Sequence, residues 1–159
     1  MVEYLIGMSD YVTNLRKKLG HDPILVPHSI VIVYNDRGEI LIEERSDDGN
    51  FDFPGGGIEP DEKAEVAAKR ELFEETGLIA DELEFFKLYT GEITYYKYFN
   101  GDEIYGIDMV YIAKKYHGTL KRQVKEVNNL LFIKGDDIPR NKLSPRNKQI
   151  LIDLKKGEK

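Results

Sequence analysis

The chain has 159 residues, of which 41% are hydrophobic, so its length fits one domain and its composition can fill a core. It contains no cysteine, which excludes disulfides, thiolate metal sites and cysteine nucleophiles. A formal net charge of −6 without a long basic run argues against binding of nucleic-acid polymers, because phosphate contacts need clustered lysine and arginine.

The N-terminal segment predicts a short helix rather than a targeting or membrane segment. Ser9 and Asp10 are typical of a helix start and Gly20 of a helix end. Between them apolar residues recur at helical spacing, and basic residues come last, where they suit the helix dipole. No basic region precedes a long apolar run, so we expect a cytoplasmic protein without a membrane partner.

The rest of the chain alternates strand and helix patterns. A hairpin is predicted from two strand-like runs, 29–35 and 39–45, which flank an NDRG turn. The later predicted elements are a helix at about 61–76 capped by Gly77, strands at 83–99 and 103–116 around an NGD turn, a strand at 129–133, and a helix at 144–156. This order predicts an α/β fold in which a mixed sheet packs against helices, in a single domain over residues 1–159.

Three glutamates crowd the end of the helix predicted at 61–76. Glu71, Glu74 and Glu75 project within roughly 100° of arc, where like charges destabilise a helix and raise carboxyl pKa values. A hard divalent cation such as Mg²⁺ would relieve this repulsion, since it takes oxygen ligands and is completed by substrate phosphates. The glycines at 55–57 permit close approach of the backbone to a ligand. The spacing alone equally fits a solvated acidic face on a surface helix.

Residues 56–78 resemble the signature of the Nudix hydrolases. That signature asks for glycine, glutamate, Arg-Glu, an aliphatic residue, Glu-Glu, glycine and a final aliphatic residue. Gly56, Glu62 and the run RELFEETGL meet every position at the required spacing. Weaker similarity extends through FDFPGG, YFNGDEIYGIDMVYIA and EVNNLLFIKGDDIP. The chain is thus similar to bacterial, single-domain MutT-like members, with an N-terminal helical extension over residues 1–22.

The resemblance implies the Nudix fold, a mixed β-sheet sandwiched between α-helices, in which residues 55–78 form a loop-helix-loop. It also implies hydrolysis, dependent on Mg²⁺ or Mn²⁺, of a pyrophosphate bond in a nucleoside diphosphate linked to another group. Nucleoside triphosphates, ADP-ribose, dinucleoside polyphosphates and nucleotide sugars all fit the signature. The expected partner is therefore a nucleotide-type small molecule. A homodimer is a further expectation, because the strands are rich in tyrosine.

The resemblance assigns the catalytic and metal-binding roles. Glu71 and Glu75 are expected to be the main metal ligands, with help from Glu74 and from the carbonyl oxygen of Gly55. Either Glu71 or Glu126 is expected to act as the general base, and Glu126 to lie in a loop that joins the metal site.

The remaining signature residues are expected to support that site. Arg70 would hold a helix glutamate by a charge-assisted hydrogen bond. Glu62 would tie the loop to the helix. Gly56 and Gly77 would have a structural role, since glycine permits backbone conformations that other residues do not.

Outside the signature, Arg45 and Phe51 are candidates for substrate binding. The planar guanidinium of Arg45 suits a terminal phosphate, although a salt bridge with Glu43 or Asp47 is the alternative. Phe51, with Tyr34, would stack on a nucleobase, and core packing is the alternative.

The histidines, and the tyrosines of the strands predicted at 83–99 and 103–116, receive no role in substrate binding or catalysis. The three histidines form no pair or triad at motif spacing, so packing at the surface or at strand ends is expected.

The competing function is a Nudix-fold sensor that binds a nucleotide without cleaving it. Loss of a signature glutamate would favour that reading, and all of them are present. A Nudix-fold isomerase is a third possibility, against which the lack of cysteine counts.

Overall fold

The computed structural model describes residues 10–123, 125 and 127–157, and within them the chain forms three α-helices and eight strands. The helices are α1 (Asp10–Leu19), α2 (Ala64–Thr76) and α3 (Pro145–Gly157). The strands are β1 (Ile24–Ile32), β2 (Ile40–Arg45), β3 (Phe51–Asp52), β4 (Gly55–Gly57), β5 (Leu78–Tyr89), β6 (Tyr95–Lys97), β7 (Glu103–Gly118) and β8 (Val127–Ile133). The predicted mixed α/β class is confirmed.

The strands form two sheets. The first sheet has the order β4-β1-β7-β5, with β6 also paired to β7, and the second has the order β3-β2-β8. In the first sheet β1 and β7 run parallel, whereas β4, β5 and β6 pair with antiparallel neighbours. The chain passes from the second sheet to the first between β3 and β4, which places the three glycines of β4 at the junction.

The predicted hairpin is confirmed at its turn, but the prediction that β1 and β2 pair along their length is wrong, because they belong to different sheets. The turn itself closes, because the Asn35 amide donates to the Glu39 carbonyl at 3.0 Å and the Leu41 amide donates to the Val33 carbonyl at 2.9 Å. After that the two strands diverge, since both edges of β1 are occupied by β4 and β7, and both edges of β2 by β3 and β8.

Successive residues of β1 face opposite sides of the first sheet, as the strand period requires. Val31 and Val33 pack with Ala68 and Leu72 of α2, whereas Ile30 and Ile32 belong to the core formed with α3. The sheet therefore lies between α2 and α3.

Several local sequence signals are confirmed at the ends of elements. Gly77 adopts a left-handed conformation with φ 77° and its amide caps α2 on the Phe73 carbonyl, although α2 begins at Ala64 rather than near residue 61. Ser144 accepts a hydrogen bond from the Asn147 amide at 3.2 Å, as predicted for the start of α3. The predicted strand 83–99 is divided, since β5 ends at Tyr89 and a 3₁₀ turn precedes β6.

The predicted N-terminal helix is confirmed as α1, which is anchored on β7. The buried guanidinium of Arg16 donates to the carbonyl oxygens of Gly20, Asp22 and Glu103. None of the helices in the described part of the chain is long and apolar enough to cross a bilayer.

Candidate active site

The glycine segment, Gly55–Gly57, fits closely between β1 and α2. A side chain at Gly55 would lie 2.5 Å from the Ser29 carbonyl oxygen, and one at Gly56 would lie 2.6 and 2.7 Å from the two carboxylate oxygens of Glu71. Non-bonded heavy atoms prefer about 3.5–4.0 Å, so neither position has room for a β-carbon. At Gly55 the obstructing atoms belong to the backbone of β1, whereas at Gly56 they belong to the flexible end of the Glu71 side chain.

Two of the three signature glutamates face the glycine segment. Glu75 is only 4% exposed, and one of its carboxylate oxygens accepts a hydrogen bond from the Gly55 amide at 3.3 Å. Glu71 is partly buried beside Gly56, whereas the side chain of Glu74 is half exposed at the rim. The helix period thus places Glu71 and Glu75 one turn apart on the inner face of α2.

Arg70 joins the loop before α2 to the glutamates of α2. Its Nε and Nη2 donate to the two carboxylate oxygens of Glu62 at 2.7 and 2.9 Å, and Nη2 also donates to the Gly57 carbonyl at 3.0 Å. Its Nη1 donates to Glu71 at 2.8 Å and to Glu74 at 3.4 Å. The hydrogen bond from Arg70 outweighs burial and lowers the pKa of Glu62. Arg70 thus contacts Glu62 of the loop and Glu71 of the helix, while the roles assigned to Arg70 and Glu62 stay predictions.

The donor atoms at this site fit a hard divalent cation. They are the carboxylate oxygens of Glu71, Glu74 and Glu75, and Mg²⁺ and Mn²⁺ favour all-oxygen coordination. The missing β-carbon of Gly56 lets the Glu71 carboxylate pack directly against the glycine segment. Among the described residues no three acidic or histidine side chains stand at metal-binding geometry, and Arg70 is hydrogen bonded to two of the carboxylates.

The segment after β7 passes the C-terminal end of α2. The Lys121 amide donates to the Thr76 carbonyl at 2.8 Å, and the Gln123 amide donates to the Glu75 carbonyl at 3.3 Å. Glu126 itself lies outside the described residues, so its role as general base stays a prediction.

Arg45 forms the strand-end salt bridge that was the alternative to phosphate binding. Its Nε and Nη2 donate to the Asp47 carboxylate at 2.9 and 2.6 Å, while Nη1 lies 3.6 Å from Asp52. Burial is the largest single effect and disfavours the charge, but the hydrogen bond to Asp47 and the charges of Asp52 and Asp47 together outweigh it and raise the pKa of Arg45. The guanidinium also lies 5.5 Å from the centre of the Tyr96 ring. Phosphate binding by Arg45 stays a prediction, and it would require exchange of Asp47 for the phosphate.

The two aromatic candidates for base stacking both pack against the α3 core. Phe51 is half-buried, and the ammonium group of Lys142 lies 5.0 Å from its ring centre. Tyr34 lines a cavity of about 830 Å³ together with residues of β5, β7 and α3, none of which belongs to the signature. Stacking on a nucleobase by Phe51 or by Tyr34 stays a prediction.

Sequence reasoning missed a set of buried and partly buried polar side chains, which we call the Arg146 network: His28, Asp52, Asp108, Arg146 and Asn147. Arg146 donates to Asp108 and to Asp52, both at 2.9 Å, and His28 pairs with Asp108 at 2.8 Å. The available signal was Asp108, an acidic residue at an inward-facing position of a strand that is otherwise apolar on that side.

Comparisons with known proteins identify the family of this chain. A family model described as the Nudix domain matches residues 25–154. An RNA pyrophosphohydrolase from Pseudomonas putida is 41% identical over 69 residues, which are 43% of this chain and 43% of that protein. A Bacillus subtilis protein provisionally named an 8-oxo-dGTP diphosphatase is 49% identical over 49 residues, or 31% of this chain and 33% of that protein. The chain thus matches less than half the length of these curated relatives.

Similar solved structures share the fold over most of the chain. The crystal structure of a MutT Nudix hydrolase from Burkholderia pseudomallei has a TM-score of 0.68 at 22% identity, covering 82% of this chain and 98% of that one. The solution structure of the E. coli ORF135 protein has a TM-score of 0.64 at 27% identity, covering 82% and 88%. With the family model matching residues 25–154, the chain belongs to the Nudix family.

Proposed function

We propose that the chain is a metal-dependent Nudix pyrophosphohydrolase that cleaves a pyrophosphate bond in a nucleoside diphosphate linked to another group. The observation that carries the proposal is the placement of two carboxylates against the glycine segment: Glu71 packs where Gly56 has no β-carbon, and Glu75 accepts a hydrogen bond from the Gly55 amide. The names of the Pseudomonas and Bacillus relatives support it, since both denote hydrolysis of a diphosphate or pyrophosphate linkage.

Glu71 and Glu75 would hold the Mg²⁺ or Mn²⁺ ion, assisted by Glu74 and the Gly55 carbonyl. When bound, the cation neutralises phosphate charge and lowers the pKa of a coordinated water. A carboxylate, Glu71 or Glu126, would accept the proton of the attacking water. The chain's contribution is therefore positioning and charge stabilisation, without a covalent nucleophile.

Arg70 would keep the loop in place while Glu71 and Glu74 exchange their contacts with Arg70 for contacts with a cation. Its Nε and Nη2 are committed to Glu62 and the Gly57 carbonyl, so only the Nη1 contacts to Glu71 and Glu74 need to yield to a cation. The two-point contact with Glu62 is retained in both arrangements. The loop thus stays anchored to α2 through the exchange.

We expect a nucleotide-type small molecule as substrate, because the chain is acidic and lacks a long basic run. The name of the Pseudomonas relative adds RNA to the substrates that must be tested. The cytoplasmic location, the homodimer and the single-domain boundary stay predictions. For the homodimer, Tyr89 and Tyr111 are unavailable as contacts because both are buried within the protomer.

The decisive experiment is a substrate panel with Mg²⁺ or Mn²⁺, read by chromatography of the released products. The panel contains nucleoside triphosphates including 8-oxo-dGTP, ADP-ribose, dinucleoside polyphosphates, nucleotide sugars and an RNA with a 5′-terminal triphosphate. Cleavage of a member, lost in EDTA, is the expected result. Absence of cleavage across the panel, together with tight nucleotide binding, would favour the non-catalytic sensor instead.

Matched glutamate variants identify the residues that act in the reaction. Glu75→Gln keeps size and helix propensity but removes a carboxylate charge, so the single-turnover rate should fall by several orders of magnitude. Glu62→Gln is the control, because Glu62 supports Arg70 rather than the reacting atoms, and its loss should be far smaller. Equal and mild losses in both variants, with folding confirmed by circular dichroism, would reject the proposed site.

A further inference from the structure

The Arg146 network joins the two sheets beneath the glycine segment. Arg146 of α3 donates through Nη1 to Asp108 on β7, which lies in the first sheet, and through Nη2 to Asp52 on β3, which lies in the second sheet. Both contacts are 2.9 Å long. A single guanidinium therefore connects the two sheets where the chain crosses from one to the other.

Both carboxylates in the network are held by further donors. One oxygen of Asp52 also accepts hydrogen bonds from the Asn147 side chain at 2.9 Å and from the Phe53 amide at 2.8 Å. Asp108 is 1% exposed; burial disfavours its charge, but the contact with His28 and the charge of Arg146 outweigh burial and lower its pKa. Both oxygens of Asp108 and one oxygen of Asp52 therefore have fixed partners.

The network lies on the α3 side of the first sheet, opposite the glutamates of α2. The Ser29 hydroxyl donates to the Ala64 carbonyl at the start of α2, whereas Ile30 packs in the α3 core. His28 shares the face of Ile30, because alternate residues of a strand point the same way. The network thus contacts β1 on the face that points towards α3, away from the glutamates of α2.

Both ends of the glycine segment are tied to elements that the network holds. Asp52 lies three residues before Gly55, and the intervening Pro54 carbonyl accepts a hydrogen bond from the Val31 amide at 2.8 Å. At the other end, Gly57 is the register partner of His28, and the Ile58 amide donates to the Pro27 carbonyl at 3.1 Å.

We propose that Arg146 is a positioning residue that fixes the glycine segment against Glu71 and Glu75. The Nε, Nη1 and Nη2 atoms of Arg146 donate to Asn147, Asp108 and Asp52, so Arg146 acts through the backbone of the segment rather than by touching the glutamates. The effect on rate rests on the proposed function, whereas the effect on the segment does not.

The geometry requires arginine, since two separate nitrogens must reach carboxylates on two different sheets. A lysine ammonium is a point charge on a flexible stem and cannot reproduce this planar fork. Arg146→Lys should therefore rescue only part of what Arg146→Gln loses.

The test measures amide hydrogen exchange by NMR in the protein without added metal, at the reporters Val31, Gly55 and Ile58. In Arg146→Gln we expect their exchange to accelerate at least about tenfold relative to the Leu41 amide, whose hydrogen bond to Val33 lies in the turn between β1 and β2. Arg146→Lys should show a smaller increase. Equal acceleration at Leu41 and at the reporters, or none at the reporters, would overturn the proposal.

Asp153→Asn is the matched control on the same helix. Asp153 accepts hydrogen bonds from the Tyr89 hydroxyl at 2.7 Å and from Lys87 at 3.0 Å, and so attaches the other end of α3 to β5. It should lower the melting temperature without selective exchange at the reporters. Selective exchange there in Asp153→Asn would show that general loosening of α3 is sufficient, and would overturn the assignment to Arg146.

Kinetics on a panel substrate complete the test. Arg146→Lys should lower kcat about tenfold with KM changed less than about twofold, because the segment supports the reacting site rather than general substrate affinity. Wild-type kcat in Arg146→Lys would overturn the positioning role. If wild type cleaves nothing, the proposed function fails while the exchange result still decides the proposal. If Arg146→Gln does not fold, the double variant Arg146→Gln/Asp108→Asn is measured instead. It removes one charge of each sign and so does not leave the buried Asp108 carboxylate without its arginine partner.

Discussion

Gly56→Ala is predicted to lower the catalytic rate about 100-fold while leaving the fold intact. The new β-carbon would lie 2.6 and 2.7 Å from the carboxylate oxygens of Glu71, well inside the contact distance of about 3.5–4.0 Å. The clashing atoms are the far end of a flexible side chain, so the carboxylate turns away and the backbone stays. The predicted loss is therefore one of function.

The expected stability change is small because two effects oppose each other. Loss of the hydrogen bond between Arg70 and Glu71, which is 2.8 Å long and partly exposed, costs about 1 kcal/mol at most. Alanine in place of glycine restricts the unfolded chain and stabilises the protein by about 0.4–1 kcal/mol. The net change is then within about 1 kcal/mol, or about 2–4 °C in melting temperature. Displacement of a reacting group by about 1 Å lowers the rate about 100-fold.

Two further glycine variants make this prediction specific. In Gly55→Ala the new β-carbon would lie 2.5 Å from the Ser29 carbonyl and 2.9 Å from the Ile30 α-carbon, and a strand backbone cannot turn away, so we expect a loss of about 1–3 kcal/mol. In Gly135→Ala the nearest atoms are 3.6 and 3.8 Å away, an ordinary contact, so no change is expected.

The assay combines thermal denaturation, Mn²⁺ titration by calorimetry and hydrolysis of the best panel substrate. Gly56→Ala should keep its melting temperature and lose both Mn²⁺ affinity and rate. A Gly56→Ala protein with wild-type Mn²⁺ affinity and rate would refute the placement of Glu71 at the reacting site.

Three further predictions follow from the same contacts. Mn²⁺ should raise the melting temperature of wild type by binding only the folded state, and should raise that of Glu75→Gln less; an equal rise, measured by scanning calorimetry, would place the ion elsewhere. Asp47→Asn should weaken the hold on Arg45 and lower KM severalfold if Arg45 binds phosphate, whereas an unchanged KM in initial-rate kinetics would leave Arg45 a structural residue. The pKa values of Glu62 and Asp108 are lowered from 4.5 and 3.8, so their stabilisation is present above those values and is lost as pH falls through the folded-state pKa values. Urea denaturation between about pH 6 and about pH 3 should show this loss, and Asp108→Asn should reduce it.

Features set by neighbouring residues could be predicted from the sequence. The glycine that caps α2, the Ser-Pro start of α3 and the NGD turn before β7 each depend on a few residues whose backbone preferences are strong. The signature glutamates and Arg70 also lie within one helix and its preceding loop, so their spacing indicated their shared face. At these places the backbone conformation is determined by residues close in sequence, so the prediction and the structure agree.

Features set by distant residues could not be predicted in the same way. The NDRG sequence correctly indicated a turn, but the strands that flank it are paired by β4, β7, β3 and β8, which no turn signal describes. In the Arg146 network, the partners Asp108 and Asp52 are 38 and 94 positions away from Arg146. His28 was expected to pack at a strand end, and nothing near it in the sequence identified its partner Asp108.

The two arginines that support the glycine segment lie on opposite faces of the first sheet. On the α2 side, Arg70 binds Glu62 and the Gly57 carbonyl, and on the α3 side, Arg146 reaches the chain just before the segment through Asp52. Each uses separate nitrogens for separate partners, which a planar guanidinium allows and an ammonium does not. Neither anchor requires the carboxylate of Glu75. The backbone can therefore be fixed in advance while the ligating side chains adjust to a cation and a phosphate, which lowers the reorganisation required during the reaction.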